Sequence, residues 1–349
     1  MDLFKINNLK KIYSLVSQIV PSVYAIGGCV RDSILGIIPA DYDFCTPLPP
    51  EEIELCIKKA GRKPYLVGKK YGTIGFKVET EPSVWQYVEV TTFRHEQYLN
   101  NTRFPTVVYI KDLKSDIQRR DFTINALAWN IEDGLIDYFN GLDDLKNKVI
   151  RAVGQPKERF TDDPLRVLRA GRFASQLGFA IDPYTEKKAK ECSFMLLKVS
   201  KERWMLELNK LLLSNNPRVG LEFLMRVRAF NWMIPELALQ YNYNQNSKYH
   251  DFDLWEHTLR VVENTPKDLI LRWSSLFHDS GKPFVATINP KSGVTNYIFH
   301  EKVSAEIVLK YAQYLKWPND LRDSVYDIVK NHLKEDSILR PYDLKAHKL

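Results

Sequence analysis

The period of the apolar residues changes once along this 349-residue chain, and that change constrains the fold more than any other feature. Up to about residue 145, VYAIGG, IGFKVET, WQYVEVTTF and LIDYF carry strand-type patterning between short helical stretches, which predicts an α/β head. From DDPLRVLRAGRFASQLGF (162–179) onward, apolar residues recur at three and four and strand signals vanish, so the remainder is expected to be all helical. FNGLDDLKNKVIRAVGQPKERF reads as a turn-rich hinge, and QYNYNQNSKYHDF (240–252) as a polar break between two helical blocks. The expected plan is an α+β chain with a head over 1–145, a helical neck over 146–240 and a further helical domain over 241–349.

Composition narrows the class. A hydrophobic share of 44% with 27% charged residues is that of a soluble globular protein, and no apolar run approaches the ~18 residues of a membrane span. The opening MDLFKINNLKKIYSLVSQIV spaces its apolar residues as an amphipathic helix, not as a signal peptide. Cys29, Cys45, Cys56 and Cys192 form no CxxC pair, so reduced thiols and a cytoplasmic location are expected. A net charge of +7 favours a polyanionic partner.

The chemistry begins at GGCVRDSILGIIPADYDFCT (27–46). An apolar strand ends in Gly27-Gly28, and a short helix closed by Gly36 follows. A glycine pair at a strand-to-helix turn lets backbone N–H groups approach a phosphate at the helix N-terminus. On a strand, Asp41 and Asp43 point to one face. A lone D-x-D is more often a solvated strand edge. Beside a phosphate-cradling turn, the pair suits Mg²⁺, which takes hard oxygen ligands and substrate phosphates.

These residues resemble the first motif of class II tRNA nucleotidyltransferases and bacterial poly(A) polymerases. Further motifs follow in that family's order: RRDFTINALAWN (119–130), the base-reading stretch ERFTDDPLRVLRAGRFASQLGF (158–179) and KERWMLELNKLL (201–212). The resemblance implies a polymerase β-like nucleotidyltransferase head in which Asp41 and Asp43 hold two Mg²⁺ ions and Gly28 and Arg31 touch a triphosphate. It also implies a third carboxylate on a neighbouring strand. Glu89, alternating with Val88 and Val90, is the candidate, against the alternative of a surface glutamate. Arg120 matches the family's nucleotide-contacting arginine. Asp121 and Asn125, four apart on an expected helix face, would orient the sugar or that arginine, unless Asp121 forms a structural salt bridge.

In DDPLRVLRAGR, Pro164 suits a first helical turn with Asp162 or Thr161 as cap. Asp163, Arg166, Arg169 and Arg172 recur every three residues, ordinarily a solvated arginine face. Cytosine and adenine each show a ring-nitrogen acceptor beside an amino donor, whereas guanine and uracil reverse that pair. A carboxylate accepting from the amino group, with an arginine donating to the ring nitrogen, would take C and A and reject G and U. Asp163 and Arg166 could form that protein template. Asp162 stands where the family usually has Glu.

The resemblance therefore implies addition of C, C and A to the tRNA 3′ end from CTP and ATP, with contacts to the acceptor arm, release of pyrophosphate and no membrane partner. Addition of A alone and poly(A) synthesis are the alternatives. TTFRHEQYLNNTRFPTVVYIKDL keeps Arg94, Glu96, Tyr98, Arg103 and Pro105, resembling the flexible loop with which CCA-adding enzymes switch from C to A. Further on, DLWEHTLRVV, LFHDSGKP and YIFHEKVSAEIV resemble an HD-type domain. His257, His278 and Asp279 match its metal ligands, and His300 a further conserved position, with Phe299 replacing the usual Gly. A second divalent metal and phosphoester hydrolysis are expected there, against an inherited scaffold of packed histidines; no closing aspartate is identifiable after NHLKED.

Overall fold

The computed structural model describes residues 4, 8–97, 106–246 and 252–346, and divides them into two compact units, Met1–Asp162 and Asp163–Leu349. Tyr98, Arg103 and Pro105 of the switching loop lie outside the described residues.

The first unit is built on a six-stranded sheet of β1 (Tyr24–Ile26), β2 (Tyr42–Thr46), β3 (Thr73–Glu81), β4 (Val84–Thr92), β7 (Leu127–Asn130) and β8 (Gly134–Asp137), ordered β3-β4-β2-β1-β7-β8. Only β2 and β4 run parallel; the other pairs are antiparallel. A separate hairpin joins β5 (Arg94–Gln97) and β6 (Thr106–Tyr109). The helices are α1 (Asn8–Ser17), α2 (Gly28–Leu35), α3 (Pro50–Lys59), α4 (Leu113–Gln118), α5 (Gly141–Lys146) and α6 (Pro156–Asp162). The strand period predicted from the sequence is realised on β4, where Val88 and Val90 are fully buried and Glu89 faces the other way, half exposed. Gly36 closes α2 in the left-handed region at φ 81°, a conformation glycine adopts without strain.

The second unit is helical: α7 (Arg166–Leu177), α8 (Pro183–Cys192), α9 (Lys201–Leu212), α10 (Pro217–Arg226), α11 (Ala229–Met233), α12 (Pro235–Ala238), α13 (Leu254–Asn264), α14 (Leu269–Phe277), α15 (Lys282–Val285), α16 (His300–Tyr314), α17 (Asn319–Lys330) and α18 (Arg340–Ala346). The expectation of a purely helical remainder is corrected by the two-residue strand Ala180–Ile181 and by a two-residue-per-strand hairpin, Thr287–Ile288 with Thr295–Asn296. Both are too short to leave a periodic signal. Aromatic residues of this unit fill its core: Trp204 and Trp273 are fully buried, and Trp273 packs on Phe277 and Trp317. No described helix is long and apolar enough to cross a membrane.

Candidate nucleotidyl-transfer and metal sites

β1 delivers the chain to Gly27, whose φ of 78° and ψ of −129° few other residues adopt, and α2 starts at the next residue. A Cβ on Gly27 would also lie 2.9 Å from Arg120 Nη1, so glycine is what lets the guanidinium lie over the start of α2. Arg120 Nε is buried and makes no hydrogen bond among the described residues, and its Nη2 is 3.8 Å from Asp116. A guanidinium with spare donors at a helix N-terminus is arranged for an anion. Arg31, buried on α2, pairs with Asp32 at 2.8 Å and donates to Asn125 Oδ1 at 2.5 Å; Asn125 Nδ2 in turn donates to Asp121 Oδ1 at 3.1 Å. The expected helix face over 121–125 is instead a 3₁₀ turn at Thr123–Asn125. The backbone N–H of Phe122 donates to Asp121 Oδ1, which tightens that turn.

The acids gather next to this turn. Asp41 lies in the bend just before β2, not on the strand as expected, and Asp43 is on β2 itself. The parallel pairing of β2 with β4 sets Asp43 directly beside Glu89. Asp43 keeps an exposed surface, yet its carboxyl is pushed up to about 6. Surrounding protein contributes most, Arg120 opposes, and Glu89 and Asp41 add repulsion. Crowded oxygen donors around so raised a carboxyl fit a hard divalent cation, which would remove that repulsion. Beneath them, burial pushes the Cys29 thiol up to about 12, so it remains protonated.

In the second unit, α7 begins at Arg166 with Leu165 as its cap, and Thr161 and Asp162 belong to the end of α6. The expected cap at those positions is therefore corrected. Asp163 takes over part of that task, accepting from the Leu165 N–H at 3.1 Å, while its other oxygen accepts from Arg203 of α9 at 2.8 Å. The arginine spiral is not a solvated face: Arg166 and Arg172 are buried and Arg169 is half-buried. Arg172 Nε donates to Glu207 at 2.5 Å, and Arg169 lies 3.8 Å from the same carboxylate. Those two arginines hold α7 against α9. Glu207→Ala removes the carboxylate that both arginines face and is expected to destabilise the protein by about 3 kcal/mol, read from its urea midpoint.

Further along, His257 of α13, His278 at the end of α14 and Asp279 just beyond it converge in the core; the His-Asp pair sits past a helix end, not on a helix as expected. Asp279 Oδ2 lies 3.3 Å from His257 Nε2 and 3.2 Å from His278 Nε2, and the two ring nitrogens are 3.1 Å apart. An aspartate not anticipated from the sequence, Asp343 of α18, lies 3.1 Å from His257 Nε2. Its only signal was an acid in the basic stretch LRPYDLKAHKL, too far from His257, His278 and Asp279 to count as a motif. The other oxygen, Asp279 Oδ1, faces His300 Nε2 at 3.0 Å and His332 Nε2 at 3.6 Å; His332 was not anticipated. His278, His300 and His332 each donate Nδ1–H to a backbone carbonyl three residues earlier. In their neutral form the Nε2 lone pairs therefore point into the cluster, an N/O donor set suited to a divalent transition metal. Burial would push the Asp279 carboxyl up, but His278 and Lys282 at 2.7 Å, with His257 close by, hold it well below the usual range.

A mixed sheet with a phosphate-type turn, an arginine above it and paired acids on adjacent strands defines a nucleotidyltransferase head. The comparisons agree. Residues 23–151 match the Poly A polymerase head domain, and residues 178–240 match the probable RNA and SrmB-binding site of polymerase A. A CCA-adding enzyme of Lactococcus lactis subsp. lactis is 33% identical over 342 residues, covering 92% of this chain and 82% of that protein. One from Staphylococcus epidermidis is 38% identical over 249 residues, covering 71% of this chain and 60% of the relative. Among solved structures, the Bacillus stearothermophilus CCA-adding enzyme in complex with CTP shares the fold, with a TM-score of 0.60 at 24% identity over 97% of this chain and 80% of that one. The chain belongs to the CCA-adding enzyme family. It spans 50 to 60% of the length of the first six curated relatives it matches.

Proposed function

We propose that this protein adds C, C and A to the 3′ end of tRNA from CTP and ATP, releasing pyrophosphate. The observation that carries the reading is the register that sets Glu89 beside Asp43, next to an anion-ready Arg120 over Gly27. The α2 N-terminus, Gly28, Arg31 and Arg120 bind the triphosphate, and Asn125 and Asp121 fix the direction of Arg31. Asp41, Asp43 and Glu89 would hold two Mg²⁺ ions; when bound, these supply Lewis-acid stabilisation of the leaving pyrophosphate and lower the pKa of the primer 3′-hydroxyl. Asp163 and Arg166 offer the acceptor–donor code shared by C and A. A groove lined by Lys187, Lys190, Arg228 and Tyr241, beside an Arg226–Glu186 ion pair, supplies positive charge for an RNA backbone, such as the acceptor arm. Four free cysteines suit a reducing compartment, the cytoplasm.

The test is a tRNA lacking its 3′ end, incubated with labelled CTP, ATP and Mg²⁺ and resolved at single-nucleotide length. Three-nucleotide extension supports the reading. Incorporation of A alone, long A tails or no extension would each overturn it.

A second reading applies to the helical unit, favoured by the way each Asp279 oxygen faces its own histidine pair. This cluster would hold two divalent metals and hydrolyse phosphoesters. Metal analysis after dialysis is expected to find about two equivalents per chain in the cluster. Asp279→Ala is expected to lose both, together with hydrolysis of bis(p-nitrophenyl) phosphate, while CCA addition continues. A variant that keeps its metal content refutes the reading.

A further inference from the structure

On the β4 face that carries Glu89, the two flanking strands offer unlike neighbours. Asp43 of β2 is its direct partner on one side, and Gly75 of β3 on the other. Gly75 is not open space: a Cβ there would lie 2.0 Å from the hydroxyl of Tyr87. Tyr87 stands two residues before Glu89, on the same face, and leans its phenol across into the notch left by the missing side chain. Its hydroxyl reaches 3.2 Å from Glu89 Oε1.

The phenol is held from a second direction. Tyr65 bridges Gly75 through two backbone hydrogen bonds, of 2.7 and 3.1 Å, and its ring meets Tyr87 edge-on with centroids 5.7 Å apart. The glycine thus has two jobs: it pairs with Tyr65 and makes room for the hydroxyl of Tyr87. A carboxylate with one exposed side samples several rotamers, and a fixed donor selects among them.

We propose that Tyr87 is a positioning residue for nucleotidyl transfer, donating its hydroxyl to Glu89 so that the carboxylate is aimed at the metal site it shares with Asp43. The proposal rests on the reading of Glu89 as the third metal-facing carboxylate. Tyr87 touches neither substrate nor reacting atoms. Its effect is on how tightly the acids hold their cation.

The experiment titrates Mn²⁺ by electron paramagnetic resonance into the full chain carrying Asp279→Asn, so that the helical unit's cluster contributes little signal. Glu89→Gln and Tyr87→Phe are made in that background. Phenylalanine keeps the ring over Gly75 and removes only the hydroxyl. Tyr87→Phe is expected to weaken Mn²⁺ binding about tenfold. The Mg²⁺ concentration for half-maximal CTP incorporation should rise by a similar factor, with a smaller change in the rate at saturation. A purely structural tyrosine would move the melting temperature and not that dependence. If Glu89→Gln weakens Mn²⁺ while Tyr87→Phe binds it like the parent, the positioning role is overturned and the Glu89 reading stands. If Glu89→Gln binds Mn²⁺ and incorporates CTP like the parent, both are overturned.

Discussion

Asp43→Ala is expected to lower CTP and ATP incorporation at least ~10³-fold while changing tRNA retention in a filter-binding assay less than about threefold. The carboxylate sits where Glu89 and Asp41 crowd it and Arg120 alone opposes them among the causes of its raised pKa of about 6. A group kept under such repulsion in the folded protein should work on charge that arrives with metal and triphosphate, not on holding the fold together. The stability consequence has a definite sign. Because the folded carboxyl titrates above its ordinary 3.8, its stabilising contribution is present below about pH 4 and disappears as pH rises through about 6. In a chelating buffer at pH 7.5, Asp43→Asn should therefore melt slightly higher than the parent, by less than the full shift implies because solvent screens this exposed carboxylate. At pH 4 that advantage should be gone. An Asn variant that melts lower at pH 7.5, or an Ala variant that still extends tRNA, would contradict the metal-holding role.

The second large effect concerns choice of base. Arg166→Ala is expected to reduce discrimination of CTP and ATP against UTP and GTP by ~10- to 100-fold, the worth of one well-placed hydrogen-bonded pair. Arg166 is buried at the first turn of α7, so Arg166→Lys serves as the control that keeps charge and most of the packing. Lysine cannot reproduce the planar donor fork, and it should lose selectivity with less loss of stability. Equal use of all four nucleotides by the parent protein, or unchanged selectivity in both variants, would remove the template argument. Arg169 and Arg172 should behave differently. Each faces Glu207, so their loss should lower stability first and selectivity only through the displaced helix.

Local sequence signals carried the strands of the head and the helix after Gly27-Gly28, because period and glycine placement are properties of short windows. The pairing of Asp43 with Glu89 is not local: it needs a parallel crossover between β2 and β4, with β3 inserted in the chain between them. Only the alternation of Glu89 with two valines could be read in advance. The arginine spiral was legible as spacing, but spacing does not say which members meet a carboxylate from α9, and Glu207 sits 35 residues away from Arg172. The same limit hid Asp343 and His332. Buried metal-type clusters assemble from helix ends distant in sequence, and an isolated Asp or His on such an end looks like any surface residue.

One feature of the head sheet couples two positions that no motif connects. Residues 75 and 87 occupy a shared volume, since the tyrosine hydroxyl lies where a side chain at 75 would begin. A side chain at 75 forces the phenol of residue 87 to swing aside or be shortened, whereas shortening 87 leaves the glycine free to stay. The two positions are thus an epistatic pair, and a descendant with a side chain at 75 would keep the tyrosine only with its hydroxyl withdrawn from Glu89.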